Sequence, residues 1–512
     1  MMFPACLMGA QGIVPSPAKY SAAQGSFVLT RSVRIEAVGD DAKAAADAFS
    51  RRVKAMKRLP KGRSGKVVLR LAERLKMAPE AYSLKVTPDS VVLSAATAEG
   101  LARAEASLLQ LLDDASGKID ACEITDSPAY AWRGLMIDES RHFFGKEKVK
   151  QYLDMMFRLK LNVFHWHLTD EPGWRIEIKR YPLLTTVGGV GNWHDSAAKA
   201  QFYTQQDIRE VVAYAAERGI MVVPEFDMPG HATAACRAYP ELSGGGDGRW
   251  NGFTFHPSRE STFEFISNVL DELVQLFPAP YIHIGGDEVH YGNQNWYRDP
   301  EIQRFIADNK LVDERGLEHY FVRRVADIVA SKGKTMIGWD EIVDAEVSPD
   351  KAVVMWWRHD RCYQLLKALE LGYRVILTPR LPMYGDFVQH PSHRIGRSER
   401  TNSIDKVHDF PADIAYLFKG HEKQIMGMQF SVWTERIADA SRLDYMTFPR
   451  LFAVAEAAWT PMNARNRDAF MAGLPSWLRW LDACGIKYFN PFDPVSTPEP
   501  WGPDKQDVLK QG

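Results

Sequence analysis

The sequence predicts an α/β chain, a (β/α)8 TIM barrel preceded by a small α+β domain. Three observations predict it. From Trp132 onward, eight short apolar strands alternate with helical stretches; polar and aromatic residues gather at the strand ends; and the residues before that point follow a different rhythm.

Residues 1–19 stand apart. The first dozen, MMFPACLMGAQG, are apolar and end in small residues but carry no Lys or Arg before Lys19, so they resemble a shortened signal segment. Export to a periplasmic or extracellular space is the expectation, with a cytoplasmic location as the alternative.

Residues 20–127 form the α+β unit. Phe27 to Ile35, Val67 to Leu71 and Tyr82 to Val86 read as strands, the last because Tyr82, Leu84 and Val86 alternate with polar residues. Helical stretches run from about Asp41 to Met56 and from Thr97 to Leu112. Arg51 to Lys66 holds eight basic residues and no acidic one. Without interleaved aromatics it reads as a solvated helix end and loop, and no nucleic-acid partner is expected. Asp126-Ser127-Pro128 is turn chemistry and closes the unit.

Residues 128–490 carry the barrel. Leu135 to Asp138 is followed by a helix with Val149, Tyr152, Leu153 and Met156 on one face, then by the strand Asn162 to His167. Thr204 to Arg218 opens on a T-x-x-D cap, stops at Gly219 and leads into Ile220 to Glu225. A helix from Thr262 to Phe277 precedes Tyr281 to Gly285. The remaining strands are Thr335 to Gly338, Ala352 to Trp356, Arg374 to Leu377 and Ile425 to Phe430. The tail, residues 491–512, is proline-rich and aperiodic, and is expected to be irregular or frayed.

Composition excludes several classes. With 512 residues, 46% hydrophobic, 25% charged and a formal net charge of −2, the chain is neither disordered nor fibrous and has no global field to steer nucleic acid or an anionic membrane. No window reaches the ~18 consecutive apolar residues of a spanning helix. Cys6, Cys122, Cys236, Cys362 and Cys484 lie far apart, without zinc-ribbon or disulfide-framework spacing.

In a barrel of this kind the chemistry sits where the strands end. The sharpest feature there is His283-Ile284-Gly285-Gly286-Asp287-Glu288. Two glycines free the backbone and two adjacent carboxylates follow. Conventional glycosidases place two carboxyl groups ~5 to 9.5 Å apart around the sugar, an arrangement that neighbouring residues fit poorly. Adjacent acids serve one face: Glu288 to protonate a leaving oxygen, Asp287 to hold a group beside the reacting carbon, with the substrate supplying its own nucleophile. Repulsion between them is expected to split their pKa values, one protonated and one anionic.

Trp339, Trp357 and Trp433 each stand near the end of a later strand and form the walls of an apolar pocket for a sugar face or a methyl group. Tyr384 and Asp386, two apart, project to one side of an extended segment. Arg133, Asp386 and Glu435 are candidates to hold hydroxyls. His165-Trp166-His167 with Asp170 has an H-x-H spacing that suits a metal, so a metal-dependent barrel hydrolase is one alternative, against buried hydrogen-bonded histidines. A sugar-binding barrel without catalysis is another.

Trp132-Arg133-Gly134 through Asp138, Ser140-Arg141-His142-Phe143, Asn162 to Asp170, Pro224 to His231 and His283 to Glu288 together resemble the β-N-acetylhexosaminidases of glycoside hydrolase family 20. Gly338-Trp339-Asp340-Glu341 and Val432-Trp433-Thr434-Glu435 extend the likeness. It covers about residues 128 to 485, and the preceding unit resembles the family's N-terminal domain.

The resemblance implies an exo-acting enzyme that removes terminal β-linked GlcNAc or GalNAc from glycans, with no cofactor and no metal, by retaining, substrate-assisted catalysis through an oxazolinium-type intermediate. By motif, Glu288 is the general acid/base and Asp287 orients the 2-acetamido group. Tyr384 donates to the acetamido oxygen, and Asp170 and His231 form a supporting pair near the acid. Trp339, Trp357 and Trp433 enclose the acetamido methyl and the sugar face. Arg133 and Glu435 hold hydroxyls, and Asp386 lies near the 4-hydroxyl. Glu171-Pro172 stands where the family more often has Asp-Gln.

Overall fold

The computed structural model describes residues 12–39, 42–56, 58–71, 77–113, 116–495, 497, 499 and 500. Most of the segment read as a shortened signal, residues 1–11, and the last part of the tail, residues 501–512, lie outside the described residues.

The N-terminal unit is a six-stranded sheet with two helices. Its strands are β1 (Lys19–Val28), β2 (Arg34–Val38), β3 (Lys66–Leu71), β4 (Tyr82–Val86), β5 (Ser90–Ala95) and β6 (Lys118–Asp126), in the spatial order β1-β6-β4-β5-β3-β2. The expected strand Phe27 to Ile35 is two strands separated by a turn. The expected helices are present as Ala42–Ala55 and Ala98–Leu111. Thr97 caps the second by accepting a hydrogen bond from the Gly100 amide at 3.1 Å. Gly100 to Leu109 are all buried, because this helix packs on β4 and β5 and also on the barrel helix Lys146–Arg158. Of the basic segment, Arg51 pairs with Glu217 at 2.8 Å and Arg52 with Glu105 at 2.6 Å, so these charges join elements of the fold.

Eight parallel strands close the barrel: β7 (Trp132–Asp138), β8 (Val163–His167), β9 (Met221–Met228), β10 (Tyr281–Gly285), β11 (Thr335–Trp339), β12 (Ala352–Trp356), β13 (Arg374–Leu377) and β14 (Ile425–Val432), with β14 pairing back onto β7. Each predicted strand is present. β9 and β14 run longer than expected because their ends reach into the polar mouth, and β7 because it begins three residues earlier, at the floor. The helix Gln205–Ala216 starts on a capping box in which Thr204 accepts from the Asp207 amide at 3.1 Å and the Asp207 carboxylate accepts from the Thr204 amide at 3.1 Å. No helix among the described residues is long and apolar enough to cross a membrane.

The two units meet at the floor of the barrel, where the strands begin. Lys160 and Asp126 pair there at 2.9 Å with both side chains fully buried. Asp126 also accepts from the Tyr82 hydroxyl at 2.8 Å and the Trp459 indole at 3.0 Å. Glu80 is gripped by Arg103 at 2.9 Å and by Arg133 at 2.5 and 3.0 Å. The described part of the tail is irregular but tied down: Glu499 pairs with buried Arg442 at 2.5 Å.

Candidate active site

Backbone geometry builds the mouth first. β10 ends at Gly285 and is followed by Gly286, with φ of +67° and +91°. A Cβ at Gly285 would lie 1.7 Å from Asp227 Oδ1, so only glycine fits. The chain then turns through Glu288 at φ +52°, and His231, after β9, adopts φ +53°. Two non-glycine residues in the left-handed region, each at a cost of about 1 kcal/mol, place their side chains against one another. His231 Nε2 stands 3.7 Å from Asp287 Oδ2 and 3.6 Å from Glu288 Oε2, while its Nδ1 meets Asp170 Oδ1 at 3.0 Å. Asp287, Glu288, Asp170 and His231 therefore form one cluster, with both carboxylates bordering one imidazole.

The cluster is buried and its charges are unevenly shared. Burial works against charge on His231, but Asp170, Asp227 and Asp287 around it raise its pKa well above the usual imidazole range. Burial likewise opposes ionisation of Asp170, yet Arg141 and His231 hold it well below the usual carboxylate range. Burial pushes Asp287 up to about 7, assisted by its neighbour Glu288. Burial also opposes the charge on Glu288, but the His231 imidazolium and Arg141 pull its pKa down. The two pKa values therefore split, Asp287 upward and Glu288 downward, with burial and His231 rather than mutual repulsion as the leading causes.

An aromatic box faces this cluster. Trp339, Tyr384 and Trp433 are buried together: Trp339 and Trp433 have ring centroids 5.7 Å apart, and Tyr384 and Trp433 6.0 Å. Trp357 lies parallel to Tyr384 at 6.4 Å, and its indole donates to Glu341 Oε2 at 2.9 Å. Trp356, next to it, points the other way into the core around the barrel. Burial, then repulsion from Asp340, lifts Glu341 well above the carboxylate range. Asp386 accepts from Arg397 at 2.7 Å, and Arg397 also comes within 3.9 Å of Glu435. Asp287 Oδ1, Asp386 Oδ1 and the Trp433 indole nitrogen are buried without a hydrogen-bond partner among the described residues.

Arg133 is not in this group. It stands at the start of β7, five residues below Asp138, with its guanidinium on Glu80 and the Lys160 carbonyl. Arg141, just beyond β7, takes the corresponding place at the mouth. It pairs with Asp170 at 2.5 Å, approaches Asp138 at 3.5 Å and lies 5.2 Å over the Trp433 ring. Asp138 fixes that turn by accepting the Ser140 and Arg141 amides, each at 3.0 Å. The sequence offers a signal for Arg141, because it lies in the loop after a barrel strand. Arg397 offers none, since its partner Asp386 is eleven positions away.

The H-x-H pair is also accounted for. His165 Nε2 and His167 Nδ1 lie 3.0 and 2.5 Å from Glu225 Oε2. His283 Nδ1 and the Trp339 indole lie 2.9 and 3.0 Å from Glu225 Oε1. Burial opposes the charge on Glu225, yet the surrounding imidazoles hold its pKa well below the usual range. His167 Nδ1 and the Trp339 indole hydrogen-bond to Glu225, whereas His283 Nδ1 accepts from the Gly285 amide at 3.1 Å and His165 Nδ1 meets the Gln429 side-chain amide at 2.9 Å, so both histidines of the pair are engaged in hydrogen bonds. Glu171, at the family departure, points to the cluster with Oε1 3.5 Å from His231 Nδ1.

The model of the glycosyl hydrolase family 20 catalytic domain matches residues 130–462, and that of the family's domain 2 matches residues 10–127. The chain belongs to glycosyl hydrolase family 20. Among family 20 relatives, a β-hexosaminidase of Porphyromonas gingivalis is 32% identical over 94% of this chain, which spans 64% of that protein's length. A β-hexosaminidase of Vibrio furnissii is 33% identical over 86% of this chain and 76% of its own. Two solved family 20 structures superpose with a TM-score of 0.84 at 32% identity over 96% of this chain. They are an exo-β-N-acetylglucosaminidase of Vibrio harveyi in complex with N-acetylglucosamine, covered over 80%, and a β-N-acetylhexosaminidase of Bacteroides fragilis, covered over 99%.

Proposed function

We propose that this chain is an exo-acting β-N-acetylhexosaminidase that releases terminal β-linked GlcNAc or GalNAc from glycans. The observation that carries the reading is the placement of Asp287 and Glu288 beside one imidazole, next to an aromatic box. Two acids on one side of a sugar leave the other face without a protein nucleophile, so the 2-acetamido oxygen attacks the anomeric carbon. Glu288 protonates the leaving oxygen, and Asp287 accepts from the acetamido N–H and stabilises the positive charge that develops there.

An acetamido N–H donates to Asp287 as its anion, and the leaving group needs a proton on Glu288, so the productive complex holds Asp287 ionised and Glu288 protonated. Water then opens the cyclic intermediate with Glu288 as base, restoring the starting configuration. Tyr384 is placed to donate to the acetamido oxygen, and Trp339, Trp357 and Trp433 to enclose its methyl and the sugar face. Arg141, Asp386, Arg397 and Glu435 are placed to hold the outer hydroxyls. Arg133, at the floor, has no part in this.

The test compares p-nitrophenyl β-N-acetylglucosaminide, β-N-acetylgalactosaminide and β-glucoside with wild type and Glu288→Gln, with and without chelator. The expected result is turnover of the acetamido sugars alone, indifferent to chelator. Glu288→Gln is expected to lower kcat by ~10²- to 10⁴-fold on a disaccharide and by less on the p-nitrophenyl glycoside, whose leaving group needs little protonation. Efficient turnover of the glucoside would remove the substrate-assisted step.

A further inference from the structure

The C-terminal segment reaches the sugar-binding rim through one carboxylate. Glu499 Oε2 accepts the Arg394 amide at 2.7 Å and Oε1 accepts the Ile395 amide at 3.0 Å. Its counter-ion is Arg442, at 2.5 Å, whose side chain is 1% exposed and which also donates to the Ile395 carbonyl. Two further contacts bring the same segment down: the Tyr445 hydroxyl donates to the Thr497 carbonyl at 3.2 Å, and Arg442 Nη1 to the Pro500 carbonyl at 3.4 Å.

The clamped amides stand immediately before Gly396 and Arg397. Gly396 has φ +135°, and a Cβ there would meet the Asp386 carbonyl at 2.8 Å, so this stretch is pressed onto the Asp386 backbone. The Arg397 amide donates to that same carbonyl at 2.9 Å while its side chain holds the Asp386 carboxylate. Arg436, beside Glu435, donates to the Gly396 carbonyl at 2.8 Å. A single buried carboxylate therefore fixes the backbone from which Arg397 reaches Asp386 and Glu435.

We propose that Glu499 is a positioning residue: by clamping the Arg394 and Ile395 amides and neutralising Arg442, it sets Arg397 against Asp386 and Glu435 and so fixes the rim that holds the outer hydroxyls of the terminal N-acetylhexosamine. The inference rests on the function proposed above. Glu499 touches no substrate, and its effect reaches the sugar only through Arg397. Loss of the clamp weakens binding of the sugar rather than the bond-breaking step.

Glu499→Ala and Glu499→Gln are to be assayed in the full chain with p-nitrophenyl β-N-acetylglucosaminide and β-N-acetylgalactosaminide, alone and in an Arg397→Ala background. The expected result for Glu499→Ala is a KM raised about tenfold with kcat within about threefold of wild type, and no further rise in KM once Arg397 is gone. Glu499→Gln, which keeps an acceptor oxygen but not the charge, is expected to fall between and carries the comparison if the alanine variant does not fold. A KM unchanged in both variants, or effects that add in the Arg397→Ala background, would overturn the clamp while leaving the activity intact. A wild type that turns over neither glycoside overturns the proposed function and the clamp with it.

Discussion

The barrel buries ionic groups at both ends, and the two ends treat them differently. At the floor, Lys160 meets Asp126, and Glu80 is shared between Arg103 and Arg133; Trp459 lies 4.5 Å from the Lys160 ammonium and 5.0 Å from the Arg133 guanidinium. The two arginines hold Glu80 down at about 2, against its burial. At the mouth, acids outnumber their partners, Asp287 and Asp386 each keep a buried oxygen without a donor among the described residues, and burial lifts the pKa of Asp287 to about 7. Fully paired charge fastens one domain to another, whereas carboxylate oxygens left without a donor are available to a substrate.

The comparison is sharpened most by Asp287→Asn. Removing the charge proposed to face the acetamido nitrogen is expected to lower kcat by ~10²- to 10³-fold with the protein fully folded, measured by steady-state kinetics beside circular dichroism. An unchanged kcat would make the mouth as purely structural as the floor. Lys160→Met at the floor is expected to do the reverse. It leaves Asp126 buried without its cation and costs about 3–5 kcal/mol in urea unfolding, while kcat per folded molecule stays that of wild type.

The two arginines of neighbouring segments give the next contrast. Arg141→Met is expected to raise KM by an order of magnitude, or ~1.4 kcal/mol, and Arg133→Met to leave KM alone and lower the melting temperature. The reverse pattern would return the hydroxyl-holding role to Arg133.

The smallest effect is a pH dependence of stability. From about pH 4 to about pH 7 the native state keeps a proton on Asp287 that the unfolded chain has released, so this residue lowers stability as pH rises through that window. Asp287→Asn lacks that loss. Its melting temperature is expected to gain on wild type between pH 5 and pH 8, and a gap that narrows would place the proton elsewhere.

Much of this was legible in the sequence for physical reasons. The barrel strands are short apolar runs bounded by capped helices, and a residue closing such a strand must face the mouth, which is why Asp287, Glu288, Tyr384 and the three tryptophans can be named. β1 is hidden because KYSAAQGSFV is mostly exposed and polar, an edge strand with little alternation. β5 follows the turn after Val86, where Pro88 and Asp89 mark a hairpin that could have been read. Arg133 misleads because it opens a strand: it is near Asp138 in sequence yet at the opposite end of the barrel. Arg397 and Glu499 act through contacts between distant segments, which no local pattern encodes.

The helix Ala98–Leu111, buried on every side between the first sheet and the barrel helix Lys146–Arg158, has an evolutionary consequence. A gene fragment encoding only the barrel would inherit an apolar scar where this helix lay, together with Lys160 and Arg133 stripped of their anions. Recombination that moved the catalytic part to a new neighbour would have to carry the smaller unit along. The two are thus expected to travel through genomes as one heritable piece.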